Sequence, residues 1–196
     1  MNFALIFAGG TGQRMNTISL PKQFLKVHDK EIIVHTIEHF QNCNQIDKIV
    51  VVCLLDYISL MHTLKEKYRL NKIVSIVPGG KSGQASIFNG LEVIKSFSKY
   101  DNDIVLIHDG VRPLIDEKTI IDNINCVKKY GNSITIAKAI ETVLILNDDK
   151  NIENVIDRSR CYLGRAPQSF YFKDIYSCHL KANQINKHDF IDSAMI

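Results

Sequence analysis

FALIFAGGTGQRMNTISLPKQFL, residues 3–25, decides the fold. Its first five residues are apolar, as in a strand buried on both faces of a parallel sheet. At Ala8 the chemistry changes. Gly9, Gly10 and Gly12 lack a Cβ, so the backbone can turn sharply and bring its N–H groups close to an anion or a flat base edge. Arg14 and Lys22 add two positive charges just beyond the turn, and Pro21 stiffens the backbone before Lys22. Amides and cations together suit a polyphosphate. A glycine turn leaving the carboxyl end of a first strand is where open α/β sheets hold ligands. The plain alternative is a glycine turn whose charges face solvent.

Two familiar phosphate loops do not fit. A P-loop needs Lys and then Ser or Thr directly after its last Gly, whereas Gln13 and Arg14 follow Gly12. A dinucleotide fingerprint would put a third Gly where Met15 stands and an acidic residue at the end of the second strand, about 20 residues on. The candidate second strand comes later and ends in Leu54 and Leu55.

Moving outward along the chain, residues 31–41 carry Ile32, Ile33, Ile37 and Phe40 at helical spacing. His35 and His39 lie four apart on that helix, with no third metal ligand nearby. Residues 48–55 read as a second buried strand, 57–68 as a helix crossing back and 72–77 as a third strand. This alternation implies right-handed βαβ crossovers and a mostly parallel sheet. The third strand runs into PGGKSGQAS, residues 78–86, and a helix from about Ser86 to residue 97. Glycines before a helix start leave free N–H groups for an anion or a base edge, with the Ser86 hydroxyl as a cap or a ligand contact. Residues 103–107 read as a fourth strand leading into HDGVRP, residues 108–113. An Asp just past such a strand, Asp109, is placed to hold Mg²⁺ with phosphate oxygens and water, and Arg112 to grip a second phosphate. His108 reads as scaffold. Residues 133–139 form another apolar strand. Within 141–165, short β-like pieces flank the polar turn NDDKN, residues 147–151, giving a protruding arm too small to stand alone. The whole, residues 1–196, reads as one domain of the α/β class, a Rossmann-like sheet with helices on both faces.

Composition sets the outer bounds. With 196 residues, 45% hydrophobic and 23% charged, the chain is long enough for one sizeable core. A formal net charge of +3 is too small to argue for nucleic acid and better suits a small anionic ligand. The five cysteines are odd in number and widely spaced, suggesting reduced thiols in a cytoplasmic protein rather than a disulfide framework or zinc site. No basic leader precedes the first strand, and no apolar run reaches membrane-spanning length.

In this order and spacing, AGGTGQRM, LPKQFL, PGG with Ser86, and HDGVRP resemble the cytidylyltransferases that act on polyol phosphates. Two branches are similar: one makes CDP-ribitol from D-ribitol 5-phosphate, the other acts on 2-C-methyl-D-erythritol 4-phosphate in isoprenoid synthesis. AGGTG, LPKQF and the VRP form of the last motif look more like the ribitol branch. The resemblance implies that Ala8, Gly9 and Gly10 line the cytidine pocket, that Gly80 and Ser86 read the cytosine edge, and that Arg14 and Lys22 hold the triphosphate. It implies further that Asp109 carries Mg²⁺ with Gly110 beside the ribose, and that Arg112, Thr142 and Arg158 bind the acceptor's phosphate. In the family the arm crosses to a second subunit, which implies a homodimer, with Arg158 serving the neighbour; the sequence alone equally allows the arm to fold back as a flap.

Two departures from the family pattern stand out. Ala166 replaces the usual Thr before Pro167 and Gln168, which removes a hydroxyl from the acceptor side. Relatives continue past a helix expected to begin near Asp189, through a strand bearing a second catalytic lysine. No lysine this late is present here, so a nucleotide-binding chain without catalysis is the alternative reading.

Overall fold

The computed structural model describes residues 1–10, 20–187, 190 and 192–196. The first strand, β1 (Asn2–Ala8), is almost wholly buried, as its unbroken apolar run requires. A two-stranded ribbon, β2 (Lys26–Val27) and β3 (Lys30–Glu31), leads into helix α1 (Ile32–Asn42). Then come β4 (Lys48–Cys53), α2 (Ile58–Lys67), β5 (Ile73–Pro78), α3 (Gly83–Phe97), β6 (Ile104–Asp109) and α4 (Glu117–Tyr130). The remainder is β7 (Asn132–Lys138), the hairpin β8 (Leu144–Leu146) and β9 (Ile152–Val155), the long strand β10 (Tyr162–Tyr171) and α5 (Phe172–Gln184).

The main sheet has the order β5-β4-β1-β6-β10-β7. Its first four strands are parallel, while β10 runs antiparallel to both β6 and β7. Side-chain alternation on β1 divides the core. Ala4 and Ile6 pack with Ile33 and Phe40 of α1, Met61 of α2 and Ile124 of α4 on one face. Phe3 and Leu5 pack with Leu91 and Ile94 of α3 and Ile175 of α5 on the other. Helices therefore cover both faces, and the α/β reading holds.

Strand register brings the functional loops together. Ala8 lies opposite Cys53, Cys53 opposite Pro78, and Phe7 opposite Asp109. The carboxyl ends of four parallel strands thus finish at one level, and the chain order reverses about β1, the arrangement that opens a crevice in this class of sheet.

Several boundaries differ from the sequence expectation. The second strand stops at Cys53, and Leu55–Tyr57 forms a 3-10 turn before α2. α3 begins at Gly83, with Ser82 as its N-cap, whose side chain accepts from the Ala85 amide, so Ser86 is not the cap. Asp109 is the last residue of β6 rather than a loop residue beyond it. The arm is shorter than 141–165, because residues 162–165 already belong to β10, where Tyr162 pairs with Lys138. Of the helix expected near Asp189, residues 188, 189 and 191 lie outside the described ones, and Ser193–Met195 forms a 3-10 turn.

Candidate active site

A cavity of about 620 Å³ opens at the carboxyl ends of β1, β4, β5 and β6. The first loop supplies Ala8, Gly9, Gly10 and Lys22, the second Gly80, Lys81, Ser82, Gly83 and Ser86, and β6 with its following turn supplies Asp109 and Val111. The three segments singled out in the sequence converge on it. Arg14 falls among residues 11–19, outside the described ones.

Lys22 opens a 3-10 turn, Lys22–Phe24, set by Pro21 at φ −59°. The next two residues anchor it. Phe24 is buried and stacks on Tyr57 with ring centroids 4.9 Å apart. Gln23, only 1% exposed, donates through Nε2 to the carbonyl oxygens of Ala8 (2.8 Å) and Gly10 (3.2 Å). Gln23 thereby ties the strand end and the glycine turn to the segment bearing Lys22. Its part was missed in the sequence, although a buried amide beside an aromatic anchor needs hydrogen-bond partners. Lys81, in the second loop, adds a second cation to the wall and was also passed over.

The second loop is held from within. Ser86 Oγ accepts from the Gly80 amide at 3.0 Å and donates to the Ser82 carbonyl at 2.8 Å. Any Cβ at Gly9 would stand 3.1 Å from that hydroxyl oxygen, and one at Gly80 would stand 2.5 Å from the Ala85 Cβ. Side chains on these glycines would fill the space where the two loops meet, so the backbone itself forms the wall.

On the third side, Arg112 donates through Nε to Asp109 Oδ2 at 2.5 Å. Buried His108 donates through Nε2 to the Arg112 carbonyl at 3.0 Å and packs on Phe40, which fixes the turn. Burial pushes the His108 pKa down to about 4, so the ring stays neutral and serves as scaffold. Gly110 does not line the cavity. It lies behind it, where a Cβ would stand 2.9 Å from that of Ala8, with its carbonyl accepting from Thr36 at 3.0 Å. His35, on α1, hydrogen-bonds the Val27 carbonyl through Nε2 at 2.9 Å.

A second cavity, about 420 Å³, shares Phe7 and Asp109 with the first and is walled by Arg112, Gly164, Arg165, Ala166, Gln168 and Asp192 among others. Asp109 thus sits where the two spaces meet, with Arg112 paired to it on the side of the second. Thr142 and Arg158 line neither. Thr142 is exposed beside the hairpin, and Arg158 Nη1 donates to the Ile140 carbonyl at 3.0 Å. One carboxylate at the junction, with room around it for phosphate oxygens and water, matches the donor set that Mg²⁺ accepts.

A family model described as 2-C-methyl-D-erythritol 4-phosphate cytidylyltransferase matches residues 3–196. A protein named ribitol-5-phosphate cytidylyltransferase from Streptococcus agalactiae is 50% identical over 196 residues, covering 100% of this chain and 82% of its own length. A protein named 2-C-methyl-D-erythritol 4-phosphate cytidylyltransferase from Clostridium acetobutylicum is 37% identical over 185 residues, 94% of this chain and 78% of that one. Among solved structures, 4-diphosphocytidyl-2C-methyl-D-erythritol synthase from Anaerococcus prevotii superposes with a TM-score of 0.82 at 28% identity, over 98% of this chain and 79% of that one.

Proposed function

Because this chain belongs to the 2-C-methyl-D-erythritol 4-phosphate cytidylyltransferase family, we propose that it transfers CMP from CTP to D-ribitol 5-phosphate, giving CDP-ribitol and pyrophosphate. One observation carries the choice of acceptor: similarity to the ribitol-5-phosphate enzyme is 50% over the whole chain, against 37% for the methylerythritol enzyme. An oxygen of the acceptor's phosphate attacks the α-phosphorus of CTP. A new phosphoanhydride bond forms, the α–β bond breaks, and pyrophosphate leaves with the electron pair. Ala8, Gly9 and Gly10 offer backbone to the cytidine, and Gly80 and Ser86 the second loop's edge. Lys22 and Arg14 offset charge on the phosphates. Asp109 would hold Mg²⁺, which when bound supplies positive charge to the phosphate oxygens.

The test is a panel of acceptors with CTP, read by pyrophosphate release. Ribitol 5-phosphate is expected to exceed 2-C-methyl-D-erythritol 4-phosphate by at least about 100-fold in kcat/KM, since a site built to hydrogen-bond a hydroxyl rejects an analogue lacking it by up to ~10⁴–10⁵-fold. The opposite order would assign the isoprenoid branch, which the family model's description favours. No release from any acceptor would leave only nucleotide binding.

The proposal includes a homodimer formed through the hairpin. Leu144, Ile145, Leu146, Ile152 and Val155 are all exposed on two short strands, more apolar surface than a free two-stranded ribbon sustains. Light scattering is expected to report a dimer, and the double variant Leu144→Asp with Ile152→Asp a monomer. A wild-type monomer would remove the arm from this reading. The five free cysteines fit a reducing compartment, and we place the reaction in the cytoplasm. No helix among the described residues is long and apolar enough to cross a membrane.

A further inference from the structure

We propose that Arg165 is an acceptor-binding residue that takes the phosphate of the polyol phosphate together with Arg112. This rests on the reading of the chain as a CMP transferase. The acceptor brings a dianion to the junction at Asp109, where the second cavity opens beside the nucleotide-side one. That space needs cations of its own. Thr142 and Arg158 lie on and beside the hairpin and line neither cavity, so within one chain the described cations on this wall are Arg112 and Arg165. Arg112 already spends its Nε on Asp109. Arg165 makes no ion pair among the described residues, and its side chain is exposed.

The backbone gives a reason for its direction. β10 pairs regularly with β7 up to Gly164 and again from Gln168, and the register shifts between them. A strand irregularity of this kind re-aims side chains out of the ladder and recurs beside active sites. Arg165 sits inside it. It also lines a third cavity, about 450 Å³, that Arg112 and His108 share, so both guanidinium-bearing residues stand in the partition between two spaces. Asp109 is already paired with Arg112, while Arg165 makes no ion pair with it or with Asp192, so among the described residues the Arg165 guanidinium is the open one on this wall, and its planar fork matches phosphate oxygens in pairs. The rest of the second cavity suits hydroxyls. Gln168 supplies an amide, Asp192 a carboxylate whose Oδ2 would lie 3.9 Å from a Cβ at Gly164, and Ser193 a hydroxyl. A charged end and a hydroxyl-reading end describe a polyol phosphate.

The experiment uses the full chain. In Arg165→Ala, KM for ribitol 5-phosphate is expected to rise about 10- to 100-fold, the loss of a charge-assisted pair of hydrogen bonds, with KM and calorimetric Kd for CTP unchanged. Arg165→Lys, which keeps the charge but not the fork, is expected to recover part of the loss. Calorimetric titration of ribitol 5-phosphate onto protein saturated with a non-hydrolysable CTP analogue reads the same effect without turnover. Unchanged acceptor KM and Kd in Arg165→Ala overturns the assignment, as does a fall in kcat alone. Wild-type protein that neither binds nor turns over any polyol phosphate would end the transferase reading, and this proposal with it.

Discussion

Lys22→Ala is expected to lower pyrophosphate release about 100- to 1000-fold, equivalent to ~3–4 kcal/mol of transition-state stabilisation, while leaving the fold intact. Negative charge grows on the α-phosphate and the departing pyrophosphate as the bond breaks, and a cation held in place beforehand interacts with it more strongly than reorganising water does. Lys22 is such a cation. Pro21 sets its backbone, while Phe24 stacked on Tyr57 and Gln23 bonded to Ala8 and Gly10 hold the turn from the other side. None of those contacts uses the Lys22 side chain, so truncation removes charge without opening the core. Thermal unfolding is expected to change by less than about 1 kcal/mol, the range of surface substitutions. Near-normal turnover in this variant would take Lys22 out of the machinery and would weigh heavily against CMP transfer. Lys22→Arg keeps the charge and is expected to fall between alanine and wild type, because the broader fork reaches the phosphates from a different depth.

Gly90→Val is expected to destabilise the protein by about 3 kcal/mol. Gly90 lies on the buried face of α3, and a Cβ there would stand 2.2 Å from Leu5 Cδ1 and 2.9 Å from Val52 Cγ2. Leu5 and Val52 are fully buried on the two central strands, β1 and β4, so neither can move aside without displacing its own neighbours. For a chain of this length the corresponding fall in melting temperature is roughly 6–12 °C. Gly90→Ala is the sharper comparison. Alanine in a helix interior is favoured over glycine by about 1 kcal/mol, so any net loss in that variant is steric. Because the same helix carries Gly83 and Ser86 to the cavity, pushing it off the sheet is also expected to weaken CTP binding, measured by calorimetry below the new melting point. An unchanged melting temperature would mean that α3 slides on the sheet at no cost.

The parallel half of the fold was legible because β1, β4 and β6 carry unbroken apolar runs and β5 one broken only by Ser75. Nothing else in solution satisfies such a run as well as burial between two helical layers. Ser86 illustrates the limit of local reading. Serine near a helix start suggests a cap, yet Ser82 caps α3 and the Ser86 hydroxyl instead braces Gly80, a choice set by where the loop packs against Gly9. β10 was hidden for a different reason. Gly and Pro ordinarily interrupt strands, and β10 tolerates Gly164 and Pro167 because its pairing with β7 is interrupted at that place. The helical spacing of Ile120, Ile124 and Val127 would have identified α4.

Residue order by itself determined which groups are available: the glycines whose bare backbone can approach a nucleotide, Lys22 beside a stiff proline, and a carboxylate ending a buried strand. Those follow from side-chain chemistry and hydrophobic periodicity, which are local. Tertiary structure alone decided which groups meet. Register across β5, β4, β1 and β6 brought three distant loops to one crevice, left Thr142 and Arg158 off its walls within one chain, and put Arg165 and Arg112 on the wall of the adjoining cavity. Such neighbours come from strand pairing and bulges between segments far apart in the chain, and no local pattern encodes the distance between them.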